Sequence, residues 1–267
     1  MERLTVPDGT TISYEKVGSG PPLVLVHGGF SDHHTNWEFV KTTLQEQFTI
    51  IAIARRGRGE TDATEGHTLE DEANDVAALI RHVGQPVFLL GHSYGGQCAL
   101  GAALLVPDRI RKLVVYEAPW PNALKSDDLA RLEVLGAAHD WDNFAVTFFR
   151  DMLFVPGDEV EAVRASALWR PIVRDAKASL GDLRALARYR FDAERWRGLD
   201  VPVLLQIGSE SLRHLYVTDT LAAMLPNARV EALSGQAHEG MTTAPEMYVE
   251  AVASFLLNRP QLLASTS

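Results

Sequence analysis

Runs of consecutive apolar residues recur along the chain, and they constrain its fold more than any other feature. Each run is too short for a helix and rich in Val, Ile, Leu or Ala, which is typical of strands buried on both faces of a parallel sheet. The runs span Leu23–Val26, Ile50–Ala54, Val87–Leu90, Leu113–Tyr116 and Val203–Ile207, and a last strand is expected at Arg229–Leu233. Segments with helical spacing lie between these runs at 69–83 and 94–106, and a further one follows the last strand at 245–257. This alternation predicts an α/β fold with a doubly wound, mostly parallel sheet.

The start of the chain follows a different pattern. Apolar and polar residues alternate over Thr11–Val17, and the turn residues Pro7, Asp8 and Gly9 precede them. Alternation after a turn predicts a hairpin at the beginning of the sheet.

Between residues 121 and 199 the succession of strands stops. Only helical patterns are expected there, at 129–135, 144–153, 160–169 and 180–189. A single crossover rarely needs about 80 residues, so we interpret the segment as a helical insertion over the sheet. The expected organisation is a core domain of residues 1–120 and 199–267 with a helical cap, or lid, at 121–198. The tail Gln261–Ser267 is expected to fray.

Composition argues against several classes of partner. Of the 267 residues 46% are hydrophobic and 22% are charged, as in globular proteins, and the formal net charge is −10. That charge disfavours nucleic acid, and no apolar run is long enough to span a membrane. Cys98 is the only cysteine and the N-terminus lacks a signal peptide, so a cytoplasmic location is expected. The sequence sets no oligomeric state, and a homodimer is compatible with it.

A Gly-x-Ser-x-Gly motif, Gly91-His92-Ser93-Tyr94-Gly95, lies between a predicted strand and a predicted helix. This setting is that of a nucleophile elbow, a strained turn that exposes the serine hydroxyl above the carboxyl edge of the sheet. The glycines are needed where a Cβ would collide with the neighbouring strand and helix. Ser93 is therefore the predicted nucleophile.

A serine nucleophile needs a base and donors for the oxyanion of its tetrahedral intermediate. His238 is the candidate base, because it follows the last predicted strand in a loop at the same sheet edge and comes after the serine in chain order. The backbone N–H of Tyr94, directly after the nucleophile, is one candidate oxyanion donor. The N–H of Gly29, in the loop His27-Gly28-Gly29-Phe30, is the other.

Taken together, these motifs resemble the α/β-hydrolase superfamily over nearly the whole chain. The matching segments are His27-Gly28-Gly29, Arg56-Gly57-Arg58-Gly59, Gly91 to Gly96, and Gly235-x-x-His238. The resemblance implies an eight-stranded sheet with an antiparallel second strand, a helical cap inserted after strand six, and an acyl-transfer site beneath the cap.

The third catalytic group departs from the family's common pattern. In most relatives an aspartate follows strand seven in a Gly-x-x-Asp step, but here the step begins at Gly208 and ends at Ser211. A serine cannot stabilise an imidazolium as a carboxylate does. Glu210 is one replacement. The other is Glu117 at the end of strand six, where some haloalkane dehalogenases and zearalenone-type lactonases carry their acid, and we favour it.

The resemblance implies a serine hydrolase of the carboxylesterase or lactonase class (EC 3.1.1) acting on a small or medium ester or lactone. Hydrolysis of a carbon–carbon bond and cofactor-free perhydrolysis are alternatives, since the same triad serves them, and a ligand receptor is an alternative of another class. No metal or organic cofactor is expected. His33 and His34 are adjacent, which disfavours chelation of one ion. The run Arg55-Arg56-Gly57-Arg58 is interpreted as a solvated or structural turn.

Overall fold

Eight strands form one sheet in the computed structural model, which describes residues 1–121 and 124–259. The strands lie in the order β1-β2-β4-β3-β5-β6-β7-β8; β2 pairs antiparallel with both of its neighbours, and the other pairs are parallel. They are β1 Glu2–Thr5, β2 Thr11–Gly18, β3 Pro22–Val26, β4 Thr49–Ala54, β5 Val87–His92, β6 Ile110–Tyr116, β7 Val203–Gly208 and β8 Ala228–Leu233. The predicted fold class and the antiparallel second strand are confirmed. The tail expected to fray, 261–267, lies outside the described residues.

Helices cover both faces of this sheet. They are α1 Lys41–Leu44, α2 Leu69–Val83, α3 Tyr94–Leu105, α4 Ser126–Ala137, α5 Trp141–Thr147, α6 Gly157–Arg164, α7 Trp169–Arg188, α8 Thr218–Met224, α9 Gly240–Thr243 and α10 Pro245–Leu257. Among the described residues, no helix combines the length and the apolar character that crossing a bilayer requires.

The central strands are apolar throughout because consecutive residues contact two different cores. Val24 and Val26 of β3 belong to the core that includes residues of α2 and α3. Leu23 and Leu25 belong to the opposite core, which includes residues of α1 and α10. Successive side chains of a strand point to opposite faces, so both sets must be apolar. The rigid sheet places the ends of β3, β5 and β6 side by side.

The bounds of α2 follow directly from capping residues. The Thr68 side chain accepts from the backbone N–H of Asp71, whose carboxylate accepts from the Thr68 N–H, which forms a capping box. Gly84 ends the helix in the left-handed conformation, with φ at 76°. These local signals make the predicted helix at 69–83 match the observed one.

The helical segment, which we define as residues 124–198, contains helices and no strand in the structure. Its predicted boundaries are partly wrong. The helix expected at 160–169 ends at Arg164, and the one expected at 180–189 begins at Trp169 and runs for 20 residues. Pro171 lies in the first turn of α7, where its missing N–H leaves no hydrogen bond unmade. A Phe148–Met152 π-helical turn follows α5 directly.

Candidate active site

Three neighbouring strand ends carry strained residues at one edge of the sheet. Phe30 follows β3, Ser93 follows β5 and Glu117 follows β6, with φ of 54°, 52° and 50°. Positive φ is uncommon for residues with a side chain, and it persists where the surrounding structure imposes it, frequently at active sites. The strained backbone therefore marks this edge as a candidate site.

Ser93 occupies the turn between β5 and α3, with φ 52° and ψ −126°. The turn is closely packed. A Cβ at Gly95 would collide with the backbone carbonyls of Val26 and His27, and one at Gly91 would collide with the first turn of α3. Ser93 itself is half-buried and lines a cavity. The elbow geometry predicted from the motif is thus present around the serine.

Glu117 and His238 lie together beside this turn. Glu117 Oε2 is 2.6 Å from His238 Nδ1, and Glu117 Oε1 accepts a 2.7 Å hydrogen bond from the Gly208 N–H. The Glu117 side chain is 0% exposed and that of His238 is 17% exposed. Tyr216 stacks on the imidazole with ring centroids 5.4 Å apart. One carboxylate thus binds the Nδ1 side of His238, which leaves Nε2 for another partner.

The two groups shift each other's titration. Burial raises the pKa of Glu117. The hydrogen bond from His238 and the imidazole charge lower it by more than burial raises it, so the pKa lies below its usual value. Burial lowers the pKa of His238, but the hydrogen bond to Glu117 and its negative charge outweigh burial and raise the pKa above its usual value. The carboxylate thereby favours the imidazolium that a general base becomes after taking a proton.

Ser211 occupies the position where the family's acid would be expected, and Glu210 lies one residue before it. Glu210 is exposed and its carboxylate bonds to the neighbouring Ser209 hydroxyl. Ser211 presents a buried hydroxyl that helps to lower the pKa of Glu117. The structure therefore brings Glu117, and not Glu210, to His238.

The loop that carries His238 is held by His92, whose Nε2 lies 3.0 Å from the His238 carbonyl oxygen. On its other side, His92 Nδ1 lies 3.1 Å from Asn36 Oδ1. Burial and the nearby His238 lower the pKa of His92 well below its usual value, so its ring stays neutral. No sequence signal indicated that His92 would contact a residue 146 positions away.

Neither the Gly29 N–H nor the Tyr94 N–H has a hydrogen-bond partner among the described residues. Both residues line the same cavity as Ser93. The N–H groups on either side of Gly29 are occupied, since the Gly28 N–H donates to Asn36 Oδ1 and the Phe30 N–H donates to Ser179 Oγ. Both candidate oxyanion donors are thus available to a ligand, and Tyr94 begins a helix whose dipole favours negative charge.

The Ser93 hydroxyl makes no hydrogen bond to His238 or to any other described residue. Hydrogen bonds between a nucleophile and its base are often loose in the absence of substrate and tighten when it binds. The serine, the imidazole and the two free N–H groups share one cavity, an arrangement suited to acyl transfer.

The cavity has a volume of about 470 Å³ and is mainly apolar. The helical segment supplies most of its apolar wall, with Phe148, Phe149, Met152, Val160, Trp169 and Ile172 among the contributors. Its acidic lining residues are Glu38, Glu159, Asp182 and Glu239. Within the described ranges, no lysine or arginine lines it.

Among residues 1–121 and 124–259, two clusters have ligand atoms close enough to hold a metal ion. One is His92, His238 and Glu239, in which His238 already binds Glu117. The other is His67, Glu72 and Asp182, whose carboxylates already pair with Arg55. His33 and His34 belong to neither cluster. The arginines at 55, 56 and 58 are buried in ion pairs, so that run is structural and not solvated.

Comparison with known proteins identifies the family of the chain. A sequence model of the alpha/beta hydrolase family matches residues 23–251. The chain is 28% identical to 2-(acetamidomethylene)succinate hydrolase from Mesorhizobium japonicum, over 92% of this chain and 91% of the relative. It is 27% identical to a non-heme haloperoxidase from Rhodococcus erythropolis, over 91% and 94%. An alpha/beta hydrolase structure from Sphaerobacter thermophilus, 30% identical, matches 95% of this chain and 99% of its own with a TM-score of 0.82. The chain is therefore a hydrolase that belongs to the alpha/beta hydrolase family.

Proposed function

We propose that the protein is a serine hydrolase that cleaves a small or medium carboxylic ester or lactone through an acyl-enzyme on Ser93. The observation that carries the proposal is the Glu117–His238 pair, joined at 2.6 Å beside a strained Ser93. The free N–H groups of Gly29 and Tyr94 support it, because acyl transfer needs such donors. Helices over the site support a cap at 121–198.

In the first half of the reaction, His238 Nε2 takes the proton of Ser93 while Oγ attacks the acyl carbon. The carbonyl π electrons move to oxygen, and the N–H groups of Gly29 and Tyr94 stabilise the resulting oxyanion. Glu117 holds the Nδ1–H of His238 and balances the imidazolium charge. The tetrahedral intermediate then expels the alkoxide, which takes the proton from His238, and the acyl group remains on Ser93.

In the second half, water replaces the alcohol. His238 takes a proton from water, the hydroxide attacks the acyl carbon, and collapse of the intermediate returns the proton to Ser93 Oγ and releases the acid. Each proton taken by His238 is given back, so the cycle is balanced. The residues of the chain and water suffice for these steps.

The cavity favours an uncharged substrate. Its wall is mainly apolar, and its charged lining residues are acidic. A free carboxylate on the substrate would therefore lose hydration without gaining a cationic partner. One relative is named as a hydrolase of 2-(acetamidomethylene)succinate, whose dianion would need such partners. We therefore propose a neutral acyl group with an apolar body for this chain.

A second candidate is cofactor-free perhydrolysis, which the similarity to a non-heme haloperoxidase favours. In this reaction hydrogen peroxide attacks the same acyl-enzyme in place of water and yields a peracid. The two activities differ only in the second nucleophile, so measuring peracid formation in an ester assay supplemented with peroxide separates them.

An alkyl fluorophosphonate should label the wild-type protein at Ser93, because a phosphonyl group traps an activated serine hydroxyl. Intact mass and peptide mapping detect the adduct, and Ser93→Ala should carry none. A wild-type protein that remains unlabelled, although correctly folded by circular dichroism, would exclude the serine mechanism.

Glu117→Gln should lower kcat by orders of magnitude, since an amide cannot balance the imidazolium and disturbs the imidazole's tautomer. Glu210→Gln is the matched control, because its carboxylate is exposed and bonds only to the Ser209 hydroxyl. It should retain most activity toward a p-nitrophenyl ester. The reverse result would assign the acid to Glu210.

Substrate charge should change the rate strongly. Mono-p-nitrophenyl glutarate and p-nitrophenyl valerate share a leaving group and a chain length, but only the first carries a carboxylate. The kcat/KM for the glutarate should be lower by at least about tenfold, because an unpaired charge in an apolar cavity is costly. Equal or faster hydrolysis of the glutarate would contradict the proposed substrate class and leave the serine mechanism intact.

A further inference from the structure

We propose that α7 of the helical segment positions the oxyanion loop, which we define as residues 27–30. Ser179 acts on the loop directly, and Asp182 acts through Arg55. Both are positioning residues, since neither makes a hydrogen bond or an ion pair with Ser93 or His238. This inference rests on the proposed function, because it assigns to Gly29 the role of oxyanion donor.

Ser179 holds the peptide on one side of Gly29. Its Oγ accepts a 2.7 Å hydrogen bond from the Phe30 N–H, although 149 positions separate the two residues. The Ser179 hydroxyl in turn donates to the Asp175 carbonyl at 2.9 Å, which fixes the direction of its lone pairs. Phe30 has positive φ, and the Ser179 contact helps to keep this strained residue in place.

Arg55 holds the peptide on the other side of Gly29. Its Nη2 donates to the Gly28 carbonyl at 2.9 Å and its Nε donates to the His27 carbonyl at 2.9 Å. The Gly28 carbonyl and the Gly29 N–H belong to one planar peptide unit and point in opposite directions. Binding the carbonyl to Arg55 therefore aims the Gly29 N–H away from the guanidinium.

Asp182 holds Arg55 in turn. Its two carboxylate oxygens accept hydrogen bonds from Arg55 Nη1 and Nη2 at 3.1 and 2.7 Å, a two-point pairing that restricts rotation of the guanidinium. Burial raises the pKa of Asp182, but the charges of Arg55 and Arg58 lower it well below its usual value, so the carboxylate stays ionised. The guanidinium of Arg55 also lies 4.5 Å from the ring centroid of Tyr94, the residue of the second candidate donor.

The position of these residues on α7 is unusual for a helix that merely covers a sheet. Asp175, Ser179 and Asp182 are buried and follow helical spacing, so they share the face on which Leu186 is also buried. Buried polar groups need hydrogen-bond partners. Ser179 binds Phe30 in the oxyanion loop, and Asp182 binds Arg55 beside it. Packing of α7 against the core and the geometry of the oxyanion loop are thereby linked.

Ser179→Ala tests the direct contact, and Arg55→Lys tests the indirect one while keeping the positive charge beside Asp182. The matched control is Arg174→Gln, which removes another ion pair between α7 and the core, the 2.6 Å contact of Arg174 with Asp32. Ser179→Thr keeps the hydroxyl and should retain more activity than Ser179→Ala. Circular dichroism and melting temperature verify that each variant is folded.

Two readouts separate positioning from a merely structural role. The first is kcat against KM for a neutral p-nitrophenyl ester. The second is the ratio of inhibition constants for a trifluoromethyl ketone, which forms a hemiketal oxyanion on Ser93, and for the matching methyl ketone. Ser179→Ala and Arg55→Lys should each lower kcat about tenfold or more with little change in KM. Each should also weaken inhibition by the trifluoromethyl ketone, relative to the methyl ketone, by a similar factor.

The inference is overturned if Ser179→Ala keeps the wild-type kcat and ketone ratio, or if Arg174→Gln changes both as much as Ser179→Ala does. These results are distinct from failure of the proposed function, in which the wild-type protein itself would show neither ester turnover nor hemiketal formation.

Discussion

The short hydrogen bond between Glu117 and His238 is the interaction on which the rest of the site depends. It joins the end of β6 to the loop after β8, two segments 121 positions apart, inside a region where the carboxylate has no exposure to solvent. A buried carboxylate is costly unless it is paired, and a buried imidazole resists protonation unless a negative charge stabilises it. Each group thus offsets the cost of burying the other. The pair leaves Nε2 of His238 free for the proton that we propose it takes from Ser93.

The sheet supplies the rigidity that this pair and the proposed oxyanion hole require. Phe30, Ser93 and Glu117 all adopt positive φ at the ends of adjacent strands, and strain of this kind, of order 1–3 kcal/mol at each residue, persists only where packing imposes it. The cores on both faces of β3 and β5 provide that packing. The helical segment completes the arrangement, since it forms the apolar wall of the cavity and contacts the loop that carries Gly29.

Much of the fold and the site could be predicted from the sequence because the signals were local. Continuous apolar runs indicated the central strands, apolar residues at helical spacing indicated α2, and the Gly91–Gly95 motif indicated the elbow. Long-range choices could not be made in this way. Whether Glu117 or Glu210 reaches His238 depends on how β6 and β7 end, and the early start of α7 depends on packing within the helical segment. The contacts of Ser179 and Asp182 join residues more than 120 positions apart, and no local pattern in the sequence indicated them.

If Glu117 sets the protonation of His238, a pH titration of the His238 imidazole by NMR will detect it. We expect a pKa above the ordinary value of about 6.5 in the wild-type protein. In Glu117→Gln the titration should move to lower pH, because burial of the imidazole remains while the stabilising carboxylate is gone. The same midpoint in both proteins, with Glu117→Gln correctly folded, would show that Glu117 does not set the protonation of His238.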